Sequence, residues 1–167
     1  MTRLDVRLVR GLGTALAATV LAAGCSGGGS APKQSQSAKQ FAQAYTTTES
    51  AFQDRTVALQ RQGKTALGQG EEAVVGVYEQ LLSSTRTALH DFEQLAPPDT
   101  VKTAYEALVK AMRAQVKALE GVLKAVHDHE TAALTTSLRS YASALADFLQ
   151  ATKSLQLAVP GLKVTSS

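Results

Sequence analysis

Apolar residues return at alternating spacings of three and four along four successive segments of this 167-residue chain, and that repeat leaves little choice of fold. Side chains so spaced share one face of a helix, whereas a half-buried strand needs a period of two. The first seam reads Ala38, Phe41, Tyr45, Thr48, Phe52, Arg55, Leu59, and the second Val74, Tyr78, Leu81, Thr85, Ala88, Phe92, Leu95. The third reads Val101, Tyr105, Leu108, Met112, Gln115, Leu119, Val122, Val126, and the fourth Leu134, Leu138, Tyr141, Leu145, Phe148, Thr152, Leu155. Neighbours such as Val77, Leu82, Leu89, Val109, Val116, Leu123 and Leu149 widen each stripe to what a packed bundle requires.

The punctuation between seams sets the predicted boundaries. Gly63, Gly68 and Gly70 mark the first break, with Glu71 and Glu72 placed for the positive end of the next helix. Pro97-Pro98-Asp99-Thr100 marks the second, because the residue before a proline is driven out of the helical region and Pro98 or Asp99 can open a helix. The third break, over His127 to Glu130, has neither Gly nor Pro; it is placed where the seam loses phase, with Asp128 as a candidate cap, and one long bent helix is the alternative. Helices are thus expected over 38–62, 70–95, 99–127 and 129–157, within a domain spanning 38–158, followed by a tail over 159–167. Helices of about 37 to 43 Å with short connections imply an all-α, antiparallel, up-down-up-down four-helix bundle.

Ahead of the domain the chain changes character. Arg3, Arg7 and Arg10 precede thirteen small or apolar residues, Gly11 to Ala23, too short a run for the roughly 20 residues of a bilayer-spanning helix. The run closes on Val20-Leu21-Ala22-Ala23-Gly24-Cys25, which holds the sole cysteine. This stretch resembles the lipobox of bacterial lipoproteins: Ala23, Gly24 and Cys25 match position for position, while Ala22 stands where Leu is usual and Leu21 sits one place early. The resemblance implies a signal peptide over 1–24, cleavage between Gly24 and Cys25, and diacylglyceryl and fatty acyl groups, palmitate among them, on Cys25. A lone extracytoplasmic cysteine cannot form an internal disulfide, and two or three acyl chains on one residue anchor firmly. After it, Ser26 to Ser37 carry no large hydrophobe, so residues 25–37 are expected to form a disordered Gly/Ser-rich tether reaching about 20 Å on average.

Cleavage changes the charge. Taking Arg3, Arg7, Arg10 and Asp5 from 17 basic and 14 acidic residues leaves 14 against 13, a net charge of +1 in place of +3. That removes the basic footprint expected of a nucleic-acid binder, so no nucleic-acid partner is expected. All eight Phe and Tyr residues lie on the seams and the chain has no Trp, which leaves no ring for a stacking platform or aromatic cage.

Catalytic motifs are as sparse. Ala58 to Thr65 ends like a phosphate-binding loop but lacks its first glycine and follows a helix where that motif follows a strand. The pairs His90/Glu93 and His127/Glu130 reverse the order of the di-iron bundle motif, and helix length holds them roughly 40 Å apart. No enzyme constellation emerges. In the expected bundle, Glu71, Glu72, His127, His129 and Glu130 share the tip away from the tether, and imidazoles with carboxylates are the donors a weak zinc or other divalent site would use. A solvated turn with acids at helix starts explains the same residues, and no cofactor is expected. The layout of lipobox, short tether and Ala-rich helices with a Pro-Pro turn resembles the small surface lipoproteins of high-GC Gram-positive bacteria. It implies a chain anchored at the outer face of the cell membrane, whose domain binds or supports another envelope protein, with metal or small-ligand binding at the tip as the alternative.

Overall fold

The computed structural model describes residues 36–159 and residue 162. The expected signal peptide over 1–24 and Cys25, with nearly all of its tether, lie outside the described residues. Those residues form four helices, α1 (Gln36–Ala66), α2 (Glu71–Glu93), α3 (Lys102–His127) and α4 (Thr131–Ala158), with a 3-10 turn, Asp99–Val101, leading into α3. The fold is all-α. No described helix is long and apolar enough to cross a membrane.

The boundaries follow local chemistry, and several differ from those expected. α1 begins at Gln36, inside the stretch assigned to the tether, and runs through Gly63 to Ala66. A helical glycine costs about 1 kcal/mol relative to alanine, and burying Ala66 to 3% exposure, one turn past Gly63, offsets it. The α1–α2 turn instead closes on Gly70, whose φ of 111° only glycine adopts freely, before Glu71 and Glu72 in the first turn of α2. Pro98, extended at φ −64° and ψ 152°, precedes the 3-10 turn, so α3 proper starts at Lys102 rather than at Asp99.

α3 and α4 are separate helices. The His129 N–H donates to the Val126 carbonyl at 3.1 Å and the Glu130 N–H to the Ala125 carbonyl at 2.8 Å, with His129 at φ 57°. This is the Schellman ending, with histidine where glycine is usual. Asp128, expected to cap α4, closes α3 instead and pairs with Lys124 one turn back. A left-handed residue other than glycine costs roughly 1–2 kcal/mol, and glycine returns part of that as unfolded-state entropy. His129→Gly is therefore expected to stabilise by about 0.5–1 kcal/mol, read as a rise of a few degrees in the thermal midpoint; an unchanged or lower midpoint would contradict this account of the turn.

The buried residues fall into two clusters. One joins Phe41, Tyr45 and Phe52 of α1 with Ala88 and Phe92 of α2, Val101 to Met112 around the start of α3, and Phe148, Ala151 and Leu155 of α4. Val159 and Leu162, assigned by sequence to a tail, pack into this cluster too. The other joins Leu59 and Ala66, Val74 to Leu82, Ala118 to Ala125, and Leu134 with Tyr141. We call these the proline end and the glycine end, after the turns beside them. Aromatic rings knit the proline end together: Phe41 meets Tyr105 edge-on at 5.3 Å, Tyr45 lies 5.5 Å from Phe92, and Phe52 lies 6.3 Å from Phe148. The Tyr105 hydroxyl donates to the Phe92 carbonyl, supplying an acceptor near the end of α2 with a donor.

Between α3 and α4 the chain uses small residues. Ala104, Ala107, Ala111, Ala114, Ala118, Gly121 and Ala125 recur at three and four along α3, and a β-carbon on Gly121 would sit 2.7 Å from Ser137 Oγ. Across α2 and α3, Arg86 pairs with Glu120 at 2.6 Å and Arg113 with Glu93 at 2.8 Å. Both pairs are largely exposed and contribute about 1 kcal/mol or less each, so they favour a register more than they stabilise the fold.

Candidate functional site

The residues proposed for a metal lie where the turns put them. Glu71 and Glu72 are exposed in the first turn of α2, His127 ends α3, and His129 and Glu130 complete the Schellman turn, all in solvent. Their neighbour Asp128 is committed to Lys124. That hydrogen bond holds its carboxyl below the ordinary range and raises the lysine in return. Among the described residues, no three His, Cys, Asp or Glu side chains are grouped so as to hold a metal ion. Glu71, Glu72, His127, His129 and Glu130 therefore do not supply such a group of three. Glu93, the acid of the other His/Glu pair, is taken by Arg113. Gly63, Lys64 and Thr65 are turns of α1, with the Thr65 hydroxyl donating to the Arg61 carbonyl at 3.4 Å, so the phosphate-loop-like string has no loop.

Polar chemistry is concentrated inside the fold instead. Glu49, Ser84, Thr85, Gln115 and Thr152 are buried. Thr85, Gln115 and Thr152 are seam positions; Glu49 and Ser84 were not anticipated, since a charged or hydroxyl residue beside a seam reads as solvent-facing. Glu49 is 1% exposed and accepts from Gln53 Nε2 at 3.5 Å. The Thr85 hydroxyl donates to the Leu81 carbonyl at 2.8 Å. Tyr45 faces Thr152 closely enough for the threonine hydroxyl to offset part of its burial, yet the two miss a well-formed hydrogen bond. Gln115 Nε2, Ser84 Oγ and Arg55 Nε are likewise enclosed without a hydrogen bond, and Arg55 Nη2 makes only a long ion pair, 3.9 Å, with the half-exposed Asp91.

All four tyrosines share one electrostatic fate. Burial raises Tyr78 and Tyr141 to about 12, Tyr141 adding to the effect on Tyr78. It raises Tyr45 and Tyr105 further, aided by Glu49 at the first and by Tyr45 and Glu93 at the second. A phenol raised on folding contributes stability that is whole below its unfolded value near 10 and is lost as pH climbs through the folded value. Tyrosinate absorbance is therefore expected to stay flat to about pH 11 and then rise together with loss of helical circular dichroism; a tyrosine titrating near 10 in the folded state would contradict the burial described.

The exposed surface offers open grooves. One of about 390 Å³ runs between α3 and α4, floored by Ala107, Ala111, Ala114 and Ala151 and edged by Lys110 and Asp147. A second of about 320 Å³ lies beside Pro97 and is lined by Glu93, Lys102, Glu106 and Arg113. Ser154, which also lines the first, donates its hydroxyl to the Gln150 carbonyl at 3.1 Å. Compared with known proteins, the chain matches no family, no curated protein and no solved structure.

Proposed function

We propose that this protein is a lipid-anchored, non-enzymatic module at the outer face of the cell membrane, whose helical domain docks on or supports another envelope protein. The observation that carries the reading is the stretch Leu21-Ala22-Ala23-Gly24-Cys25, separated from the first residue of α1 by only ten Gly- and Ser-rich positions. Lipid on Cys25 would hold a helical domain beside the bilayer without a spanning helix. We infer further that the four helices run up-down-up-down and antiparallel. Support comes from the proline-end cluster, which combines the first half of α1, the last of α2, the first of α3 and the last of α4. In that arrangement the start of α1 and the Pro97–Pro98 turn face the membrane, and the α1–α2 and α3–α4 turns face away. The alanine-floored groove between α3 and α4 is the surface we assign to docking another helix, since small residues let backbones approach.

The reading is tested by growth of a high-GC Gram-positive host on an alkynyl palmitate. The wild-type chain is expected to carry the label and pellet with membranes, and Cys25→Ala to lose both; equal pelleting of the two chains would overturn the proposal.

A further inference from the structure

The two apolar clusters do not merge, and the plane between them is polar on three helices. On each helix the same short stretch separates the two clusters: Arg55 lies between Phe52 and Leu59 of α1, Ser84 and Thr85 between Leu82 and Ala88 of α2, Gln115 between Met112 and Ala118 of α3, and the small Ala144 between Tyr141 and Phe148 of α4. Buried polar atoms lacking a hydrogen bond lie there, Ser84 Oγ, Gln115 Nε2 and Arg55 Nε, with Arg55 Nη2 held only by its 3.9 Å ion pair to Asp91; two more, the Tyr45 hydroxyl and Thr152 Oγ1, face each other inside the proline end. Gln115 is 1% exposed, so its amide is removed from water without recompense.

We propose that this polar waist divides the domain into two opening units, and that the glycine end opens as a unit while the proline end stays folded. Cooperativity is carried by continuous packing, and a layer of enclosed, unpartnered polar atoms interrupts it. The glycine end is the weaker half because α1 commits little to it. Beyond the waist α1 buries only Leu59 and Ala66, against Phe41, Tyr45 and Phe52 at the other end. The ring-on-ring contacts between helices lie at the proline end as well. Opening at the waist would uncover Leu81, Leu119, Val122 and Leu134 together, an apolar surface absent from the closed domain. The inference stands whether or not the chain is lipidated.

Native-state hydrogen exchange of the full chain in a mild detergent, at rising low denaturant, tests it. Amides around Leu81, Leu119 and Leu134 are expected to share one opening and to exchange more than about thirtyfold faster than those around Tyr45, Phe92 and Leu108. Val109→Ala, in the proline end, is expected to speed the proline-end amides about tenfold and to leave the glycine-end amides within about twofold, because Val109 stays packed when only the glycine end opens. Filling the waist with Gln115→Leu and Ser84→Ala is expected to shrink the gap below about threefold. A single opening shared by both ends in the wild type, equal acceleration of both ends by Val109→Ala, or a gap unchanged on filling the waist would each overturn the proposal.

Discussion

Phe92→Ala is expected to cost about 3–5 kcal/mol. The side chain has no exposed surface and its ring lies 5.5 Å from Tyr45, so truncation leaves a cavity where α1, α2 and α3 meet. The Phe92 carbonyl also receives the Tyr105 hydroxyl, and a shift of the α2 end into the cavity would loosen that bond. Domains of this size are stable by roughly 5–15 kcal/mol, so the variant is expected to lose about a fifth or more of its stability. Chemical denaturation checks it: the midpoint falls strongly with little change in slope, while Leu157→Ala, at an 80% exposed position of α4, moves the midpoint by less than about 0.5 kcal/mol equivalent. Comparable effects at the two sites would mean that the proline-end core is not packed as described.

The second large effect concerns the tight contact of α3 with α4 at Gly121. A β-carbon on Gly121 would lie 2.7 Å from Ser137 Oγ and 3.3 Å from its Cβ. The hydroxyl can rotate away; the Cβ contact cannot be relieved without moving a helix. For Gly121→Ala, the gain of about 1 kcal/mol in helix propensity works against this crowding, leaving a change near zero. Gly121→Leu adds atoms that the contact has no room for and is expected to destabilise by about 1–3 kcal/mol. Ser137→Ala removes the obstructing hydroxyl, so combining it with Gly121→Ala is expected to exceed the sum of the single effects, a coupling readable in a double-mutant cycle. Strict additivity would contradict the contact.

Much of the helical pattern was legible because every aromatic residue sits on a seam, and all eight of them are buried. What escaped reading has identifiable causes. Gly63 reads as an end because glycine is a poor helix former, yet α1 runs through it to bury Ala66 a turn later. The α3–α4 turn carries no glycine or proline, so its left-handed residue, His129, leaves no compositional mark. Val159 and Leu162 follow the last seam too closely to show a period of their own. The alanines of α3 lie off the large-residue seam, yet their spacing of three and four is a readable signal of close approach.

The candidate site was less legible than the fold. Glu71, Glu72, His127, His129 and Glu130 offer donor chemistry on two turns, but sequence does not state how far apart those turns hold their side chains, and among the described residues no three donors are grouped. Glu49 is the opposite case. A carboxylate beside a seam is assigned to solvent on average, and only packing places this one at 1% exposure between Tyr45 and Phe52.

The central claim, a helical domain held to the membrane through Cys25, is tested most directly by intact-mass and N-terminal peptide analysis of the protein extracted from membranes of a high-GC Gram-positive host. The account predicts a chain that begins at Cys25 and carries a diacylglyceryl group on the sulfur. A chain that retains residues before Cys25, or that begins there with a free thiol, would contradict it.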